Sequence, residues 1–199
     1  MNQDITNLLQ SALSGDVVGK LTDLTDGDQQ QTKTATQGAI SAIMAAMAKN
    51  AKSGQGAQQI AQAVGKDHDG SVLDDVVGHL FGDKGDSRML NGAGILKHTL
   101  GGKQKQVAEG LSQESGLSTE SIMQLMMKVA PLVMGALGKQ QKESSGGLDL
   151  GNLAGMLMSG AKTQAPKSST MNMLSTFLDQ DGDGDMMDDV GNMLGGFFK

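Results

Sequence analysis

The chain has 199 residues, a formal net charge of −6, and no Cys, Trp or Tyr. Disulfides, zinc–thiolate sites and thiol catalysis are therefore excluded. No nucleic-acid partner is expected, because the loose cluster Lys97, Lys103 and Lys105 has no aromatic neighbour to stack a base. With 4 Phe and 15 Met, a core must be built from Leu, Met, Val, Ile and Ala, which suit close-packed helices better than strands.

The N-terminal stretch MNQDITNLLQ has no basic region and no long apolar run, so no secretory signal is read. A cytoplasmic location is expected, with export by a signal-less route as the alternative. Ile5, Leu8, Leu9 and Leu13 share a helical face that ends at Ser14-Gly15. Asp16 is predicted to cap a short helix carrying Val17, Val18, Leu21 and Leu24. Asp28 starts a long helix with Ile40, Ile43, Met44 and Met47 on its apolar face, ending near Asn50 to Gly54. Short helices follow at Gln58 to Val64 and at Ser71 to Phe81.

A glycine-rich segment runs from Gly82 to Gly102, with a helix predicted at Ile95 to Leu100. Gln104 to Ser115 is amphipathic. Ser118 caps a second long helix, Thr119 to about Lys142, which Pro131 is expected to kink. Its most apolar part, Ile122 to Gly138, carries Lys128 and Pro131 and falls short of the roughly 20 apolar residues of a spanning helix, so no membrane partner is expected. Asp149 to Ser159 reads as a helix and 161–169 (AKTQAPKSS) as a linker. Helices at Thr170 to Leu178 and Asp185 to Phe198 complete the set.

Parts of the chain repeat. AIMAAMAK (Ala42 to Lys49) resembles LVMGALGK (Leu132 to Lys139) at an offset of 90, which also pairs Asp28 with Ser118 and Leu21 with Leu111. DHDGSVLDDV (Asp67 to Val76) matches DGDGDMMDDV (Asp181 to Val190) at an offset of 114. The expected fold is all-α, with two divergent multi-helix repeats packed as one bundle-like domain. The first unit, 1–110, holds an Asp-Gly loop at 67–75; the second, 111–199, holds the linker and an Asp-rich loop at 179–189.

Four segments, AISAIMAAMAKNA, KDHDGSVLDDV, GILKHTLGGKQ and KVAPLVMGALGK, resemble the YidB-like family of bacterial proteins, a domain of unknown function. The tail DQDGDGDMMDDVGNMLGGFF is also similar to that family's C-terminus. The resemblance implies a helical fold and no assigned activity, and it carries no catalytic residues.

The tail loop is the first candidate site. Asp179, Asp181 and Asp183, followed by Gly184, fit positions 1, 3, 5 and 6 of a calcium-binding EF-hand loop. Alternate spacing turns every second side chain toward the ion. Asp185 would offer its carbonyl, and Asp188 or Asp189 would close the shell, because Val190 stands where a bidentate Glu belongs. The competing reading makes Asp183 or Asp185 a helix cap, with Asp188 and Asp189 favoured by the helix dipole. For the first loop, Ser71 to Asp74 reads as a capping box, a structural role.

No other chemistry stands out. His68, His79 and His98 lack the spacing of a zinc helix, though His68 between Asp67 and Asp69 could tune its loop with pH. There is no nucleophile elbow and no phosphate loop, and Ser112, Ser115 and Ser118 read as caps. The Met-rich faces (Met44, Met47; Met123, Met126, Met127, Met134; Met156, Met158) and the end Met193 to Phe198 read as core, or else as surfaces for a protein partner or a second copy. Small residues Ala45, Ala46, Ala48, Gly135, Ala136 and Gly138 would let helices approach closely. A non-enzymatic, self-associating interaction or scaffold protein, stabilised by calcium at the tail loop and with no small-molecule substrate, is the expected function. A membrane-active or secreted helical protein is the alternative.

Overall fold

A computed structural model describes residues 5–82, 90–143 and 151–165. In chain order the helices are α1 (Ile5–Ala12), α2 (Gly15–Thr22), α3 (Gln29–Ala51), α4 (Gly54–Asp67), α5 (Val76–Phe81), α6 (Gly92–Leu100), α7 (Gln104–Ser115), α8 (Thr119–Glu143) and α9 (Leu153–Gln164). Short 3-10 turns occupy Ser71–Leu73 and Gly101–Lys103, and no strand occurs among the described residues. The predicted helices 170–178 and 185–198 lie outside the described residues.

Two helices form the centre. Every residue of α3 from Gly38 to Ala48 is buried, as is every residue of α8 from Val129 to Gly138. A helix apolar on one face packs on one side only, whereas a helix apolar all round is enclosed. The expected single face Ile40, Ile43, Met44 and Met47 is therefore too narrow. The alanines between these residues let neighbours close in from every direction. The rest of the bundle packs round this pair: α3 meets α2, α4, α6, α7, α8 and α9, and α8 meets α1, α4, α6 and α7. One continuous core results, drawing residues from Ile5 to Ala161.

Local chemistry sets the starts of both central helices. Asp28 and Gln31 form a reciprocal capping box on α3, with Gln31 N donating to Asp28 Oδ1 at 2.8 Å and Asp28 N donating to Gln31 Oε1 at 2.9 Å. Ser118 Oγ accepts from Ser121 N at 3.2 Å at the start of α8. Asp16 is not a cap. Ser14 stands at that position without a side-chain bond, and Asp16 falls in the first turn, where the helix dipole still favours a carboxylate.

Helix α8 runs unbroken through Pro131. Proline has no N–H, so the Met127 carbonyl one turn earlier loses its intrahelical donor. That carbonyl faces the first residue of α6. A Cβ on Gly92 would stand 1.8 Å from the Met127 oxygen, so only glycine fits where α6 meets this part of α8.

The linker expected at 161–169 is corrected at its start. Helix α9 continues to Gln164, with Ala161 fully buried and Gln164 nearly so. Ser41 Oγ on α3 donates to the Ala161 carbonyl at 2.7 Å, and Gly160 makes room for the Met44 methyl. The polar look of AKTQ hides one buried stripe. By length and composition α8 could cross a membrane, but 78% of its apolar window is buried inside this fold.

Candidate functional site

The tail residues Asp179, Asp181, Asp183, Asp185, Asp188 and Asp189 lie outside the described residues. The Asp-Gly loop 67–75 lies among the described residues, and its carboxylates diverge. Asp69 Oδ1 accepts from Ser71 N at 3.0 Å and from Ser71 Oγ at 2.6 Å, and Asp69 Oδ2 accepts from Lys142 Nζ at 3.0 Å. Asp74 pairs with Lys139 at 3.3 Å. Asp75 accepts from Gly78 N at 2.8 Å and caps α5. Among the described residues no three His, Asp or Glu side chains gather as metal ligands would.

The loop instead clasps the last turns of α8. Gly70 adopts a left-handed conformation (φ 91°) against Lys139. A Cβ on Gly138 would stand 1.7 Å from the His68 carbonyl oxygen, and one on Gly135 would stand 2.3 Å from Val72 Cγ1. Both glycines thus admit a loop, not the second helix expected for them. The capping box expected at Ser71 to Asp74 is also corrected. These residues form a 3-10 turn after Gly70, and α5 starts only at Val76 behind Asp75. Tight seating of Val72 on α8 breaks the helix that local propensity favours.

The loop's ionisable groups follow from this seating. The Ser71 hydroxyl, the Ser71 amide and Lys142 hold the Asp69 carboxyl well below the usual carboxylate range. His68 is 5% exposed, and its Nδ1 has no partner among the described residues. Burial pushes its pKa below 6.5, with Asp67 pulling the other way. A neutral buried imidazole must gain a proton in the unfolded chain as pH falls, so the unfolded state binds more protons below pH 6.5. Stability is therefore expected to fall as pH drops from 6.5 toward the lowered value. Asp69 adds its loss only below the ordinary carboxylate value of 3.8. Denaturation midpoints at mildly acidic and neutral pH check this: His68→Leu should flatten the first step, and an unchanged slope would show that another group controls it.

A second polar cluster joins the turn after α2 to the start of α8. Asp26 accepts from Ser121 Oγ at 2.7 Å and from Ser118 N at 3.2 and 3.3 Å. The Ser121 hydroxyl and the Ser118 amide hold the Asp26 carboxyl below its usual range. Ser118 is a cap, as expected. Ser112 and Ser115 instead secure the turn after α7, donating to the Leu117 and Leu111 carbonyls. Lys128 donates to the Leu80 carbonyl at the end of α5 and lies 5.2 Å from the Phe81 ring centroid.

One concavity was not foreseen. An open groove of about 1050 Å³ lies between the end of α3, the first turns of α4, and α6. Met47, Ile60, Ala63, Ile95 and Met134 line it with apolar groups, and Lys49 and Lys52 bring positive charge to its lining. Asn50 Nδ2 donates to the Thr99 carbonyl at 3.2 Å and ties α3 to the end of α6. Among the described residues no carboxylate lines the groove. The sequence signal was faint: two lysines beside an Asn–Ser helix end.

The model of a family described as bacterial protein of unknown function (DUF937) matches residues 7–140, from α1 to the last turn of α8. The chain belongs to this family. The DUF937 match takes in the clasp, the Asp26 junction and every residue lining the groove. It stops before α9 and before the aspartate tail, so the tail's likeness to the family rests on sequence pattern alone. No curated protein and no solved structure matches the chain.

Proposed function

We propose that this DUF937 chain is a non-enzymatic interaction or scaffold module, with the α3–α4–α6 groove as its binding surface and a second copy among its partners. The groove is the observation that supports this reading. It is open and lined by both apolar and polar side chains, which suits a peptide or helix rather than an enclosed small molecule. Met47 and Met134 add adaptable, polarizable contact surface. Sedimentation of the full chain over a wide concentration range, beside methyl-methionine spectra, tests the proposal. The mass should rise while the Met47 and Met134 methyls shift. A constant mass with unmoved methyls would remove self-association.

Calcium at the tail is a proposal on sequence spacing: Asp179, Asp181 and Asp183 as side-chain ligands, Asp185 through its carbonyl, and Asp188 or Asp189 closing the shell. A loop that binds only the folded chain gains ~2.7 kcal/mol at about 100 times the dissociation constant. Thermal melts by circular dichroism in EDTA and in excess calcium should differ by that amount, and the Asp181→Ala/Asp183→Ala variant should lose the difference. Identical melts would leave these aspartates as helix caps. The alternative, a membrane-active protein, is supported only by the length and apolarity of α8, which would have to leave the core. Binding to anionic liposomes would favour that alternative.

A further inference from the structure

We propose that the groove is the docking site for this chain's own acidic segment, residues 179–198, in the same molecule. The inference rests on the groove's role as a binding surface and names its occupant.

Charge complementarity is the first argument. The segment carries six Asp and no cation before Lys199, within a chain of net charge −6. Among the described residues the groove lining holds Lys49 and Lys52 and no carboxylate. Apolar complementarity is the second. Phe177, Phe197 and Phe198 all fall after residue 165, leaving Phe81 alone in the described core. Met186 and Met187 interrupt the segment's aspartates, and Met193 and Leu194 follow them before the paired Phe. Aromatic rings pack well on thioether and branched aliphatic side chains, which Met47, Met134, Ile60 and Ile95 provide.

Reach is the third argument. The end of α9 is fixed where Ala161 meets Ser41, about 9 Å of helix rise from Met47 on the groove. With 170–178 as the expected helix at about 1.5 Å per residue and 166–169 extended at about 3.3 Å each, the connection reaches ~27 Å, which is long enough. A tether of this length holds the segment at an effective concentration in the millimolar range, which favours the contact within one molecule.

The chain has no cysteine, so Lys199→Cys accepts a single spin label. The full chain, labelled in its methionine methyls and kept dilute in EDTA, reports the label's neighbours by paramagnetic broadening. Among the methionines before residue 160, Met47 and Met134 should lose the most intensity. Lys49→Glu/Lys52→Glu should restore them while dichroism shows an unchanged fold. Salt near 1 M should restore them in part, because the Debye length shrinks to about 3 Å. A mixed sample, with spin label and methyl label on separate molecules, should show no broadening. Broadening in the mixed sample comparable to that of the doubly labelled chain would overturn docking within one molecule and keep the groove as an intermolecular surface. No broadening in either sample would overturn the occupant. The groove reading would then stand or fall on the concentration-dependent methyl shifts.

Discussion

Gly138→Ala is expected to lower the melting temperature by roughly 5–10 °C, corresponding to about 2–3 kcal/mol. Alanine ordinarily stabilises a helix interior relative to glycine by up to ~1 kcal/mol, so the sign is the opposite of what propensity gives. The reason is steric. The new Cβ would stand 1.7 Å from the His68 carbonyl oxygen and 3.0 Å from Gly70 N. These are backbone atoms, and a rotamer change cannot relieve the overlap. The loop must lift from α8, losing the Val72 contact at Gly135 and bringing water to buried His68. Gly155→Ala is the matched control. It also lies within a helix, but its Cβ would meet nothing within 4 Å, so the melting temperature should hold or rise slightly. Thermal denaturation of the two variants beside the parent chain decides the matter. Equal melting points for Gly138→Ala and the parent would show that the loop does not depend on this close approach.

This clasp marks where sequence reasoning ends. The helices α3, α7 and α8 were legible because their signals are local: three- and four-residue apolar spacing, with Asp28 and Ser118 at the starts. The break at 71–75 was not, because residues 71–81 carry a good helical pattern. What interrupts them is the surface of α8, some sixty residues away in sequence, where Gly135 and Gly138 admit a backbone. Those glycines were visible, but a small residue on a helix does not say whether a helix or a loop will fill the space.

The groove was illegible for a related reason. Its lining comes from α3, α4, α6 and α8, and no single stretch of sequence carries its shape. The aspartate pattern is the converse case. The alternation of Asp179, Asp181 and Asp183 is plain in the sequence, as is their separation from the rest of the charge. Coordination, however, depends on how a loop closes, and spacing alone cannot distinguish a cation from a set of helix caps. In the described loop, Ser71 and Lys142 satisfy Asp69 without an ion.

Leu157→Ala is expected to cost about 2–5 kcal/mol, a fall of roughly 5–15 °C in melting temperature. Leu157 is fully buried in α9, a helix that lies beyond the family-matched span and partly within the stretch whose composition reads as a linker. An appended helix would tolerate the truncation. The packing argues against an appendage, since α9 meets α3 more extensively than any other helix does. The Ser41–Ala161 hydrogen bond is buried between them, and Gly160 admits the Met44 methyl. Removing Leu157 leaves a cavity against a helix that is enclosed on all sides and cannot collapse to fill it. Met158→Ala, at a partly exposed neighbouring position, should stay within about 1 kcal/mol of the parent. A single cooperative melt, lowered for Leu157→Ala and not for Met158→Ala, would make α9 part of the same folding unit as residues 7–140. Unchanged melting with separate loss of α9 helicity would place it outside that unit, and α3 would then have one face bare of its main partner.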